Sequence, residues 1–179
     1  MSSDFYIEHA VALPEESGIT CLYENAYLAD AYAITLPPDA TRDPEVIARF
    51  IASNPAPWVN KLMSLRDFIV SFWGLKTAKK LRSSEQDNPT ERVNIFKIYQ
   101  KLHNEIILGE DDKHLDFRVS VLLRTRTVSE EEICELVVTT VVHCHNLLGR
   151  GYINIIKPFH RRVVRSSIRN AAKRGWQFK

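Results

Sequence analysis

The sequence predicts an α+β domain in which a curved antiparallel sheet packs around a long C-terminal helix, with two short helices after the first strand. Three observations predict it. The segments 114–125 and 133–145 alternate apolar and polar residues, the period of strands with one buried and one wet face. Tyr152, Ile155, Ile156, Phe159 and Val163 recur near the C-terminus at helical spacing. Between these patterns and the N-terminus lies a short strand followed by two weaker helical patterns.

Each element has a local reason. In residues 30–36 (DAYAITL), Tyr32, Ile34 and Leu36 alternate with small or polar neighbours, and Pro37-Pro38 ends the strand. Asp43-Pro44 supplies a helix N-cap and a first-turn proline, and Val46, Ile47, Phe50 and Ile51 follow at helical spacing. A second helix is expected over 57–72, where Trp58, Leu62, Leu65, Ile69 and Phe72 share one face. Residues 82–92 (RSSEQDNPTER) contain no apolar side chain and read as a loop. A strand over 95–102 puts Phe96, Ile98, Gln100 and Leu102 on one face, and 105–108 returns before a turn at Gly109-Glu110-Asp111-Asp112. On the strand over 114–125, Leu115, Phe117, Val119, Val121 and Leu123 face inward, with His114, Asp116, Arg118, Ser120 and Arg124 toward solvent. Cys134, Leu136, Val138, Val142 and Cys144 form the inner face of the next strand. A turn over 146–151 then precedes the final helix, placed roughly at 152–173, and Pro158 within it predicts a kink or a delayed start.

Composition narrows the classes. A chain of 179 residues with 45% hydrophobic content suits a single domain over 1–179, with 1–26 as an N-terminal extension. No apolar run approaches the roughly 18–20 residues of a membrane helix, and the N-terminus has no signal-peptide pattern, so a cytoplasmic protein without membrane insertion is expected. Three cysteines without a CxxC argue against a disulfide or zinc framework. The net charge of +2 conceals a gradient. Residues 1–60 carry nine acidic and two basic side chains, 61–149 balance, and 150–179 carry nine basic and no acidic ones. Arg161, Arg165, Arg169 and Lys173 step by four, a single helical stripe that can pair with the acidic N-terminal third. Without interleaved aromatics, that stripe does not read as a nucleic-acid surface.

The phrases Tyr27-Leu28-Ala29-Asp30-Ala31-Tyr32, His114-Leu115-Asp116-Phe117-Arg118, Leu148-Gly149-Arg150-Gly151-Tyr152 and Pro158-Phe159-His160 resemble a bacterial family, the domain of unknown function numbered 2867. The resemblance covers about residues 27–175. It implies similarity to the helix-grip superfamily of START, polyketide-cyclase and pollen-allergen-type (SRPBCC-like) proteins, and hence a fold able to enclose a hydrophobic ligand. Fold alone does not decide function there.

The candidate ligand site is the space between sheet and final helix, lined by Phe96, Ile98, Phe117, Val119, Val121, Leu136, Val138, Tyr152, Ile156 and Phe159, with Gln100 and Thr140 as inner polar groups. Dense core packing is the competing reading of the same residues. His143-Cys144-His145 puts two imidazoles on one strand face, but no carboxylate completes a metal set locally, so no metal and no cofactor are expected. Gly149-Arg150-Gly151 before a helix is a weak anion motif. Asp116, Arg118 and His114 share a face and read as solvated surface. No GxSxG, P-loop or HExxH occurs, and no catalytic residue is assigned. The expected partner is a small apolar or amphipathic molecule, and a homodimer is left open. The alternatives are a cyclase- or hydrolase-like enzyme using the same space, which two or more convergent polar groups there would favour, and a protein-interaction module using the charged ends.

Overall fold

The computed structural model describes residues 7–53, 92–128 and 130–176. Seven strands form one antiparallel sheet: β1 (His9–Val11), β2 (Leu28–Thr35), β3 (Arg92–Val93), β4 (Phe96–Lys101), β5 (Glu105–Asp111), β6 (Leu115–Val128) and β7 (Glu131–Cys144), in the order β1-β2-β7-β6-β5-β4-β3. Two α-helices occur among the described residues, α1 (Pro44–Ser53) and α2 (Leu147–Lys173). The expected helix over 57–72 and most of the expected loop over 82–92 lie outside them.

The strand read over 30–36 is the second, not the first, because β1 precedes and pairs with it; it begins two residues earlier than the alternation suggests, at Leu28, and Tyr32, Ile34 and Leu36 are all buried toward the helices. Asp43 caps α1 as expected: its Oδ1 accepts from the backbone N–H of Glu45 at 2.8 Å and of Val46 at 3.3 Å. The long α2 starts at Leu147, capped by Asn146, whose side chain accepts from Gly149 N–H at 3.1 Å. The predicted turn over 146–151 is therefore mostly the first helical turns, and the helix continues through Pro158 without a delayed start. Gly149 is demanded by a close approach, since a Cβ there would collide with the His114 carbonyl oxygen. Gly109 likewise sits inside β5 instead of in a turn, because a Cβ would strike the Phe117 carbonyl across the ladder.

α2 lies over β2 and β7, and α1 rests against β3, β5 and β6. Two apolar clusters result on this helix face. The larger joins Ile34, Val121, Leu136 and Val138 to Ile47 of α1 and to Ile168, Ala171 and Trp176 at the C-terminal end of α2. The smaller joins Leu28, Leu115 and Val142 to Tyr152 and Ile153 at the other end of α2.

The outer sheet face departs from expectation. The alternation predicts one wet face, yet Ser120, Leu122, Val137, Thr139 and Val141 on that face are all buried. The cover comes from the N-terminal residues: Val11 and Leu13 pack on Ala31, Ala33, Leu122 and Val137, while Ile19, Leu22, Tyr23 and Ala26 pack around Ile107 and Val141. A buried carboxylate pins this layer down. Ser17 and Ser120 hydroxyls both donate to Glu105 Oε1, and Gly18 N–H donates to Oε2 at 2.8 Å. The alternating pattern of β6 concealed this, because a polar residue satisfied by a buried partner has the same spelling as a solvated one.

Candidate functional site

Strand register defines the site. On the helix face, Asp30 of β2 lies opposite Thr140 of β7, Thr140 opposite Val119 of β6, Val119 opposite Leu108 of β5, and Leu108 opposite Ile98 of β4. Leu108 in this row is buried within the larger cluster, and Thr140 is buried as well. Val119, Ile98 and the adjacent Phe96 are only partly buried against the larger cluster, and Phe117 is partly buried against the smaller. Phe96 and Phe117 meet edge to face with ring centroids 5.5 Å apart.

The helix above repeats the pattern. Its buried residues are Gly149, Tyr152 and Ile153 at one end and Ile168, Ala171 and Ala172 at the other. None of the fourteen residues from Asn154 to Ser167 is buried, a length of about 21 Å at the α-helical rise. Ile156 in this stretch is partly buried, whereas Phe159 and Ile155 are exposed at 40% and 47%. Ile153 takes the inward position that the sequence stripe assigned to Ile155.

At the β2 end of the row stands a polar pair. His160 Nε2 of α2 is 3.4 Å from Asp30 Oδ1, and Arg161 Nε is 3.7 Å from Oδ2. Both are ion-pair distances, but neither contact is a hydrogen bond: both Asp30 oxygens and His160 Nε2 are buried without a hydrogen-bond partner.

The structure brings Phe96, Ile98, Phe117, Val119, Thr140 and Ile156 to this region of the helix face and places Val121, Leu136, Val138 and Tyr152 in the packed clusters. Phe159 is on the helix flank, exposed. Gln100 is not in the site. The β4–β5 register shifts between Ile98 and Gln100, so Gln100 pairs with Ile107 on the outer face and is exposed. One extra residue, Tyr99, forms the irregularity and reverses the facing of the residues after it. Tyr99 packs on the outer cluster and donates to Asp111 Oδ2 at 2.6 Å; burial and that bond push its hydroxyl up to about 12.

Sequence reading missed Asp30 and His160 as a pair. A signal was present: the alternation of β2 puts Asp30 on the inward face of Leu28, Tyr32 and Ile34, where a carboxylate is out of place. His160 adjoins the apolar stripe one residue after Phe159. Both belong to phrases that carried the family resemblance.

The remaining motifs have structural uses. His143 shares its Nε2 contact with the Leu22 carbonyl at 2.8 Å, while His145 Nε2 meets Asp116 Oδ2 at 2.9 Å, so the two imidazoles serve different neighbours. Arg118 bonds Asp111 at 2.7 Å and stacks on Tyr99 at 3.6 Å from the ring centroid. Arg165 and Arg169 close on Glu8 at 3.0 and 2.6 Å, so the basic stripe does pair with acidic N-terminal residues. A concavity of about 490 Å³ lies beside α1, lined by Arg42, Asp43, Glu45, Lys101, His103 and Glu105 among others. Its charges are already engaged: Lys101 pairs with Glu45 at 2.6 Å, and Glu105 is held by the serines.

The fold defines an α+β module, a sheet covered on both faces with one long helix lying across β2 and β7. Residues 22–167 match the family described as protein of unknown function (DUF2867), and the chain belongs to that family. No curated protein and no solved structure matches it. No described helix is long and apolar enough to cross a membrane.

Proposed function

We propose that this protein binds a small apolar or amphipathic molecule against the helix face of its sheet, beneath the middle of α2, and performs no catalysis of its own. One observation carries the reading: between Ile153 and Ile168 α2 has no fully buried residue, and Phe96, Ile98, Phe117 and Val119 on the sheet face it shares are only partly buried. Packed interiors do not normally leave such a gap in burial, and apolar concavities with a few polar groups are the usual small-molecule sites. Helix-grip similarity, carried by sequence resemblance alone, points the same way.

The test is titration with N-phenyl-1-naphthylamine, a neutral probe that fluoresces in apolar surroundings, on wild type and on Val119→Trp. Saturable binding is expected in wild type, weakened about tenfold or more by the indole that fills the trough. Unaltered binding in Val119→Trp, or no saturable binding in wild type, would overturn the reading.

One observation favours a second reading, an enzyme working in the same trough. Asp30, Thr140 and His160 converge there, and a carboxylate beside an imidazole is suited to proton transfer. Mass spectrometry of ligand co-purified with the protein and then incubated with it separates the two. An unchanged ligand supports binding alone, and a converted one supports the enzyme.

A further inference from the structure

We propose that the outer face of α2 docks on a membrane surface rich in anionic lipid. Seven large apolar side chains are exposed among the described residues, and four of them, Leu147, Leu148, Ile155 and Phe159, fall within the first thirteen residues of α2. Leu147, at the start of the helix, is 81% exposed. At about 100° per residue, Leu148, Ile155 and Phe159 stand within about 40° of one line along the helix, and Arg162 and Lys173 extend that line toward the C-terminus. Exposed apolar side chains gathered in one patch mark a contact site, whereas scattered ones do not. Tyr152, Ile153 and Ile168 bury the other side of the helix, so docking here needs no ligand beneath it.

Charge selects the partner. Residues 147–179 contain no Asp or Glu, so nothing on the helix offsets its cations. Arg161, Arg165 and Arg169 already face Asp30 or Glu8, but Arg150, Lys157, Arg162 and Lys173 have no carboxylate partner among the described residues. A second copy would bring the same acid-free helix and repel it. A protein partner of any charge would ordinarily engage roughly 20–30 residues a side, far more than this stripe offers. Nucleic acid would satisfy the cations and leave Leu147, Leu148 and Ile155 without a use. An anionic bilayer answers both features: its phosphates and carboxylates take the guanidinium and ammonium groups, and the apolar tips enter the boundary between headgroups and acyl chains. The contact is peripheral, with the helix lying along the surface.

The experiment sediments the full chain with vesicles of phosphatidylcholine alone and of phosphatidylserine and phosphatidylcholine in equal parts. Three proteins are compared: wild type, Leu147→Ser with Ile155→Ser and Phe159→Ser, and Arg162→Gln with Lys173→Gln. Wild type is expected to bind the phosphatidylserine vesicles about tenfold or more tighter than the neutral ones, and to release them in strong salt. Each lost cation should weaken binding about fivefold, and the serine variant should weaken it about tenfold or more. A wild type that ignores the phosphatidylserine vesicles, or binds both kinds alike, overturns the proposal. A serine variant that binds as wild type does reduces the contact to general attraction by a basic surface and overturns it too. A wild-type dimer that the serine variant dissolves in analytical ultracentrifugation, or tighter binding of wild type to a DNA duplex than to the anionic vesicles, overturns it in favour of that partner. All five substituted residues are exposed, and two separate variants guard against one failing to fold.

Discussion

Glu8 and its two arginines give an unequal pair of perturbations. The Glu8 side chain is completely buried, whereas Arg165 and Arg169 are each about half exposed. Removing the anion (Glu8→Gln) frees two guanidiniums that water can reach, so the loss is that of charge-assisted hydrogen bonds, about 1.5–3 kcal/mol. Removing both cations (Arg165→Met with Arg169→Met, keeping the aliphatic stems) strands a carboxylate in the interior, for which about 3–5 kcal/mol is usual. Protonation limits that loss. Bringing a carboxyl from its ordinary 4.5 to pH 7 requires 2.5 pH steps, about 3.4 kcal/mol, so the double variant should lose close to that figure.

The pH dependence comes from the direction of the shift. Burial raises the Glu8 carboxyl, but hydrogen bonds from Arg169, from its own backbone and from Arg165, with the Arg169 charge, outweigh it and hold the group below 4.5. A depressed carboxyl stabilises the fold above its unfolded value, and that stability is lost as pH falls through the folded value. The gap between wild type and the double variant should therefore narrow as pH falls from 7 toward 4.5, where protonating the variant's carboxyl stops costing anything, and narrow further below 4.5 as wild type loses its own bonds. Urea denaturation at a series of pH values, analysed by linear extrapolation, measures it. A gap that stays constant with pH, or Glu8→Gln proving costlier than the double arginine variant at neutrality, would refute the reasoning.

The same geometry sets other outcomes. Gly149→Ala should destabilise by about 1–3 kcal/mol through collision with the His114 carbonyl, whereas Gly151→Ala, whose Cβ meets nothing, should stabilise by about 0.5–1 kcal/mol; thermal melts with the same sign for both would contradict this. Asn146→Ala removes the α2 cap and should cost about 1 kcal/mol in denaturant, with Asn146→Asp recovering most of it. Phe117→Ala should lose about 1–3 kcal/mol, below the 3–5 kcal/mol of a fully enclosed aromatic, because Phe117 is partly buried; a loss at the upper figure would mean a solid core.

The legible part of the sequence was the helix face. Period-two spacing in β6 and β7 placed Leu115 through Leu123 and Cys134 through Cys144 on the correct side, since apolar burial leaves a direct mark on the pattern. The Asp43 cap was equally plain, because a side-chain acceptor before Pro44 has a specific local use. The hidden part depends on distant partners. Ser120 and Glu105 are hydrophilic by type, and only Ser17 arriving from the other layer makes them interior. Gly109 and Gly149 look like turn residues, but each yields to a carbonyl from another element. The fate of Gln100 turned on a register shift no alternation rule anticipates. Of the site, its apolar lining was readable and its polar pair was not, because Asp30 and His160 meet only when α2 lies across β2.

The Glu8 clasp also has a bearing on how the chain matures. Its bonds join residues 157 and 161 positions apart in sequence, and β2 finds its neighbour β7 only after 95 intervening residues. At ribosomal speeds of roughly 5–20 residues per second, Glu8 waits about 8–32 s for Arg165 and Arg169 to be made. For most of that interval β2 lacks its neighbour β7, and the outer cover has little to cover. Such long-range pairing makes for slow folding. The N-terminal layer, made before the strands it covers, is thus among the last pieces to dock, and synthesis leaves it exposed to chaperones and proteases for much of that wait.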